Sequence, residues 1–366
     1  MVLRIGVVGV KGIGQAHLWA LHSVEESELV AVCDVDVDAA EKNGADHKSA
    51  VFTDADALFE SGVVDAVVIA TPPGTHAPLV RGALAAGLHV YCEKPFVPSA
   101  DEGYELARYA KATERTLQVG FQFRFHLGYA AFKDAVASIG PVRRVNISAT
   151  NWFRAQQYFR ASPWRGTWRI AGGGVLMAQA VHQVDAMIHT VGMPARVRGR
   201  VEAALHDAEV EDHAVVELEW ANGARGMIVA SLNEPAGVER FEVVGERGTV
   251  VLVDGYDVRV SRHEPVGEFV QTCEIEFPED PPEWEVIDVP RAKSEWFDMM
   301  ITAHRDFANA VATGRAPAVD GVEGTKSVEL ANAVYLSSLA GAPVDLPLPA
   351  GSYGPVYEEL VAGRSI

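Results

Sequence analysis

Val90-Tyr91-Cys92-Glu93-Lys94-Pro95 is a short apolar run that passes directly into an acid, a base and a proline. A lysine at the carboxyl end of a buried parallel strand stands where open α/β sheets bind ligands. Partial desolvation there lets an ammonium give up its proton more readily than in water. Pro95 fixes its own φ and biases Lys94 toward extended backbone, so the side chain is aimed, and a cis Lys94-Pro95 bond is expected. The bare tripeptide can also be read as solvated surface charge, and its surroundings decide between the two. The second candidate is His182. After Gly172-Gly173-Gly174 the pattern turns helical, and Ala178, His182 and Asp185 share one face at i+4 and i+3. Val175, Leu176, Val184 and Ile188 give that helix its apolar surface, leaving His182 either a base aimed into a cleft or a satisfied core residue.

Around these two stand residues suited to holding a polar ring. Tyr158, Arg160, Trp164, Arg165 and Trp168 combine aromatic faces that stack on sugar-like surfaces with guanidinium forks that hold hydroxyls or carboxylates. Packing of a long loop onto the fold is the alternative reading. Gln179 lies beside them and is counted as a substrate contact, as is Arg124.

These residues need a scaffold, and the first third of the chain spells one out. The apolar run 4–10 ends in Gly9-Val10-Lys11-Gly12-Ile13-Gly14 and is followed by a helical stretch from Gln15 to Ser23. Strand, glycine turn and helix form the setting in which a helix N-terminus receives a pyrophosphate. Gly9 and Gly14 fill the outer fingerprint positions, but the middle one is Lys11; either Gly12 makes the close approach or the Lys11 side chain swings outward. Leu29 to Cys33 reads as the next strand, and Asp34 lies twenty residues past Gly14. An acid there accepts both ribose hydroxyls and repels a 2′-phosphate, so NAD is expected over NADP; otherwise Asp34 only opens the next turn.

Strands at Val51-Phe52, Ala66 to Ala70, the central run into Glu93, and Thr116 to Val119 alternate with helices, one capped near Asp54 and one opened by the capping box Ser99-Ala100-Asp101-Glu102. Six such strands predict a doubly wound parallel sheet of the Rossmann type. Thr71, Pro72 and His76 fall at its carboxyl edge beside the cofactor, with His76 alternatively a helix-start residue bonded to backbone. The alternation stops near Gln122. This gives a dinucleotide-binding domain over 1–122 and a substrate-binding and oligomerisation domain over 123–366. In the latter, period-two alternation at 142–151, 197–203, 214–220, 223–231, 241–244, 249–253 and 258–262 predicts a largely antiparallel, open sheet in an α+β domain. A free sheet face calls for a cover, so a homo-oligomer, dimer or tetramer, is expected. Glu274 to Ser294, acidic and proline-rich, reads as an exposed excursion.

The charge balance, 31 basic against 50 acidic residues for a net −19, argues against nucleic acid or an anionic membrane as partner. A strand pattern at the very start and the lack of a long apolar run point to neither a signal peptide nor a membrane span, and hence to the cytoplasm. Three separated cysteines, Cys33, Cys92 and Cys273, fit reduced thiols and give no metal site.

Thr71-Pro72-Pro73, His76, Ala86-Gly87-Leu88-His89-Val90, Glu93-Lys94-Pro95 and Val119-Gly120-Phe121 through Arg124-Phe125 resemble successive blocks of the Gfo/Idh/MocA oxidoreductases, in that family's order and spacing. The resemblance implies hydride transfer between NAD and a secondary alcohol or ketone of a sugar, cyclitol or related polyol. It places Lys94 at the family's catalytic lysine, His182 at its histidine and Asp185 at the aspartate that follows. Glu93 joins the cofactor contacts. Ala178 departs from the pattern, since inositol-dehydrogenase-like members carry an acid there that orients the histidine; Asp185, Gln179 or the substrate would have to compensate. The blocks 210–212, 222–223, Phe307, 314–317 and 321–324 resemble the family's later strand, hairpin and closing helix-turn-helix, with His304 either a pocket residue or part of the fold. Two alternatives stay open: NAD-dependent glycoside cleavage by transient oxidation, and a non-catalytic dinucleotide-binding regulator.

Overall fold

The computed structural model describes residues 2–278, 282–291 and 295–364. Six parallel strands open the chain: β1 (Leu3–Val8), β2 (Ser27–Cys33), β3 (Ala50–Phe52), β4 (Ala66–Ile69), β5 (His89–Cys92) and β6 (Leu117–Val119). Helices cover both faces of this sheet, which is why β4 reads Ala-Val-Val-Ile without a polar residue, each one buried. The order β3-β2-β1-β4-β5-β6 reverses direction between β1 and β4, and the crevice at that reversal is where such sheets bind ligands. Three turns reach the same carboxyl edge: Gly9 to Gly14 after β1, Thr71 to Thr75 after β4, and Glu93 to Pro95 after β5.

Capping follows the sequence at one helix and departs from it at another. Asp54 accepts the Ala57 N–H and starts the helix Ala55–Glu60. Ser99 is the N-cap of the helix Ala100–Ala112, but its side chain makes no capping bond; the Ala100 N–H is taken by Asn332 Oδ1 at 2.9 Å, so a distant residue replaces the expected box.

The second sheet has nine strands: β7 (Val142–Ala149), β8 (Arg196–Glu202), β9 (His213–Glu219), β10 (Arg225–Ser231), β11 (Glu239–Gly245), β12 (Gly248–Val253), β13 (Asp257–Arg262), β14 (Trp284–Ile287) and β15 (Val344–Asp345). They lie in the order β14-β13-β12-β11-β7-β10-β9-β8-β15. Every pairing is antiparallel except β7 with β10, where Ile147 faces Ile228 in a parallel ladder. Val145, Ile147, Val216, Leu218, Ile228, Phe241 and Val243 point to the buried face, beneath the helices Leu127–Ala137, Val181–Val191 and Gly321–Ala340. The opposite face carries ion pairs, among them Arg144 and Arg240 with Glu242, Arg225 with Glu219, and Arg259 with Asp257. It is the open face that alternation predicts.

Part of the stretch expected as a plain excursion is a strand, since Trp284–Ile287 pairs with β13; residues 279–281 and 292–294 of that stretch lie outside the described residues. The late chain also returns to the first sheet. The helix Glu295–Thr313 packs on Ile13–Leu21, and Gly321–Ala340 packs on Ala100–Ala112 while Asp320 bridges to Gln118. The crevice is therefore walled by both halves of the chain.

Candidate active site

Lys94 leaves the end of β5 through a cis Lys94-Pro95 bond, as expected, and its half-buried ammonium donates to the Ala178 carbonyl at 2.9 Å. Ala178 closes the short helix Val175–Ala178, one turn before His182 in the helix Val181–Val191. The lysine of the first sheet thus touches the segment that carries the histidine. Burial lowers the Lys94 ammonium below its ordinary range; Glu93 opposes this and the charge of Arg154 adds to it. His182 is held well below the usual imidazole range, first by burial and second by the Lys94 charge, so it is neutral at pH 7.

Among the described residues no acid is hydrogen-bonded to that imidazole. The Phe123 ring stacks on it at 4.3 Å, Phe121 meets it edge-on at 6.0 Å, and Nδ1 is buried without a hydrogen-bond partner. The departure at Ala178 therefore leaves aromatic packing in place of the missing carboxylate. The glycines ahead of the histidine serve close packing: a Cβ on Gly174 would lie 1.7 Å from the Glu211 carbonyl oxygen. The Glu211 carboxylate accepts from the Gly174 and Leu176 N–H groups at 2.8 and 3.0 Å and from the Tyr335 hydroxyl at 2.9 Å, and burial pushes its pKa up to about 7.

Several residues expected at substrate or cofactor have other places. Asp185 takes both carboxylate oxygens to Arg124, at 2.7 and 2.9 Å, in a buried bidentate pair flanked by Glu323. Neither Asp185 nor Arg124 is therefore free to serve the reacting centre; they brace the helix of His182 against the turn after β6. Trp168 is core, 1% exposed, with its indole N–H on the Glu209 carbonyl. Glu93 is sealed under the sheet edge, where Oε1 meets His17 Nε2 at 3.0 Å and Oε2 accepts the Lys94 main-chain N–H. Burial raises the Glu93 carboxyl, yet His17 and Lys94 outweigh it and hold it below the usual carboxylate range. His76 lies wholly inside, its ring nitrogens against the carbonyls of Thr71, Pro95 and Phe96, so it fixes the turn after Lys94 and cannot touch cofactor. His304 is likewise buried, 2.8 Å from His17 and stacked on Tyr91. His17, which completes this chain behind Glu93, carries no signal in the sequence because its partners lie 76 and 287 residues away.

Gln179 stays at the site: its amide donates to the Tyr158 hydroxyl at 2.8 Å. Arg165 stacks over Tyr158 at 4.4 Å and lies 5.6 Å from the Trp164 ring. Arg160 is exposed at the end of the helix Gln157–Arg160. Arg154, which carries no motif signal in the sequence, also faces the Tyr158 ring, at 5.4 Å.

The glycine turn lies at the carboxyl end of β1, ahead of the helix Ile13–Leu21. Lys11 swings outward to pair with Asp36, and Gly12, at φ +52° with nothing within 4 Å of where a Cβ would lie, leaves the space beside the helix start open. Ile13 and Gly14 begin the helix, whose N-terminus has no side-chain cap; the Gly14 and Gln15 N–H groups turn back to the Lys11 and Gly12 carbonyls. Asp34 ties the turn down by accepting the Val10 N–H at 3.0 Å, and its carboxylate keeps acceptor capacity for ribose hydroxyls. Thr71 and Pro72 stand across the crevice at the end of β4. Among the described residues, no group of three or more His, Cys, Asp or Glu side chains is placed to hold a metal.

Comparison with known proteins agrees with this architecture. Residues 3–121 match the model of an oxidoreductase family with an NAD-binding Rossmann fold, and residues 133–346 match that family's C-terminal alpha/beta domain. An inositol 2-dehydrogenase of Rubrobacter xylanophilus is 35% identical over 258 residues, 68% of this chain and 70% of that protein. The D-xylose 1-dehydrogenase (NADP(+)) 2 of Haloferax volcanii is 29% identical over 350 residues, 94% of this chain and all of that one. The WlbA dehydrogenase of Bordetella pertussis, solved with NADH and UDP-GlcNAcA, superposes with a TM-score of 0.80 at 27% identity, covering 95% of this chain and 100% of that one. With both domains matched in order over most of its length, the chain belongs to the Gfo/Idh/MocA family of NAD-binding oxidoreductases.

Proposed function

We propose that the protein is a dehydrogenase that interconverts a secondary alcohol and a ketone on a sugar, cyclitol or related polyol, with NAD as hydride carrier. The observation that carries this reading is that Lys94, from the parallel sheet, reaches the Ala178 carbonyl at 2.9 Å, four residues before His182 of the second domain, and lies near enough for its charge to act on that imidazole. NAD, when bound, supplies the hydride acceptor or donor; the chain supplies alignment and proton handling. Gly12, the start of the helix Ile13–Leu21 and Asp34 would hold the dinucleotide. In the oxidative direction neutral His182 takes the hydroxyl proton. Lys94 uses one N–H on Ala178, and its remaining N–H groups can hold the same substrate oxygen as negative charge grows there. Gln179, Tyr158, Trp164 and Arg165 form the wall against which the ring would lie.

The names of the inositol and xylose dehydrogenases support a cyclitol or sugar substrate, and they favour net oxidation over glycoside cleavage or a purely regulatory role. One relative is named for NADP, but Asp34 at the end of β2 favours NAD here. No helix among the described residues is long and apolar enough to cross a membrane, which fits a cytoplasmic enzyme. The salt-bridged outer face of the nine-stranded sheet fits a homo-oligomeric contact. The test is a screen of purified protein with NAD and NADP against monosaccharides, anhydrosugars, inositols and cyclic diols. Absorbance at 340 nm should rise with NAD for at least one of them. A silent panel in the face of measurable NAD binding would refute the assignment.

A further inference from the structure

Arg154 and Arg165 face the same phenol ring, at 5.4 and 4.4 Å from its centroid, and both are half-buried. Among the described residues neither has a carboxylate partner. Arg154 donates to the carbonyl of its neighbour Phe153, and Arg165 reaches the Tyr158 carbonyl at 3.3 Å. This is unexpected in a chain of net charge −19, whose other arginines on this domain are so often paired. Three of the acids that the fold brings to this side are engaged by main-chain N–H groups. Glu209 accepts the Trp168 main-chain N–H, Glu211 those of Gly174 and Leu176, and Asp212 those of Ala204, Leu205 and His206. Stacking on an aromatic face compensates a guanidinium only in part and leaves its N–H edge free in the plane, the edge that receives an oxyanion in a two-pronged hydrogen bond.

The two forks do not stand alone. The Tyr158 hydroxyl receives Gln179, and Gln179 directly follows Ala178, whose carbonyl holds Lys94. We propose that the substrate is an anionic polyol, one end of which carries an oxyanion held between Arg154 and Arg165 while its hydroxyl carbon lies at Lys94 and His182. This rests on the dehydrogenase reading for where the reacting carbon sits, and it deepens that reading by naming the substrate class. A carboxylate and a phosphate ester offer the same oxygen edge, so a sugar acid and a sugar phosphate are the two sources to separate. The charge also has a use beyond binding. It balances two guanidiniums gathered at one aromatic ring, and it fixes which end of an extended polyol points away from the cofactor.

The experiment is titration calorimetry of NADH-loaded protein with matched pairs: galacturonate against galactose, gluconate against glucitol, and glucose 6-phosphate against glucose. At least one acid should bind about 10- to 100-fold tighter than its neutral partner at low salt, and the advantage should shrink as salt is raised. The pair in which it is largest tells carboxylate from phosphate. R154Q and R165Q should each collapse the ratio toward one, and R154K, which keeps the charge but loses the fork, should retain part of it. NADH binding and the urea unfolding midpoint report whether each variant is folded. Equal binding of both members of every pair, no binding of any acid, or an advantage that survives the two glutamine variants would each overturn the proposal. Tight acid binding with no change at 340 nm on adding NAD would leave the anion site standing and count against the dehydrogenase reading instead.

Discussion

His182 can act as a base only while its imidazole is neutral, and two features keep it so: its burial and the ammonium of Lys94. Both push its pKa below 6.5, so oxidative kcat/KM should hold steady as pH falls to 6.5 and decline only below that. K94M removes the nearby charge, leaving burial alone to depress His182, so the decline should begin at higher pH than in the wild type. The same change should lower kcat by about 10²-fold or more while NAD still binds. A pH profile of K94M whose acid limb stays in place would separate the two residues. The strand end before Lys94, the cis Lys94-Pro95 bond and the glycine turn ahead of the helix of His182 were legible in the sequence because each belongs to a local pattern. Their supports were not. Asp185 and Arg124 are 61 residues apart, and nothing along the chain tells a catalytic aspartate from one locked to a guanidinium. Arg154 carries no motif signal for the same reason, since its relation to Tyr158 depends on how an irregular loop folds back.

Whole elements were easier to foresee than their ends. Period-two alternation marked seven strands of the second sheet because each buries one face, whereas Trp284–Ile287 is an edge strand with three of its four residues exposed and so lacks that contrast. The helix Ala100–Ala112 illustrates a cap that local sequence misassigns. Ser99, Asp101 and Glu102 have the form of a capping box, but Asn332 holds the Ala100 N–H at 2.9 Å and donates to the Pro98 carbonyl at 3.0 Å. Because Asn332 belongs to the helix Gly321–Ala340, the two bonds also dock the closing helix onto the first domain. S99A should therefore change stability by only about 0.5 kcal/mol or less, while N332A, which leaves two buried main-chain groups unpaired, should cost about 1–3 kcal/mol. Urea unfolding midpoints of the two variants check this. A costlier S99A would restore the local cap.

At the scale of the whole molecule, the parallel sheet supplies the dinucleotide edge, and the mixed sheet carries the histidine to it while leaving one face outward. That face bears Arg144, Arg240 and Glu242 alongside exposed Met227, a polar surface suited to a self-complementary contact between copies. Sedimentation should show a species larger than one 39.4 kDa chain at micromolar concentration, and reversing charge at Arg144 and Arg240 together should dissociate it. A monomer would refute this use of the face.

A double-mutant cycle measures directly whether Lys94 and His182 serve one oxygen atom. With the best substrate from the 340 nm screen, hydride transfer is followed in single turnovers for wild type, K94A, H182A and the double variant. Groups that share one transition-state interaction lose most of their effect together, so the double variant should fall within about tenfold of the slower single variant. Losses that multiply in full, or a single variant that turns over at the wild-type rate, would contradict it.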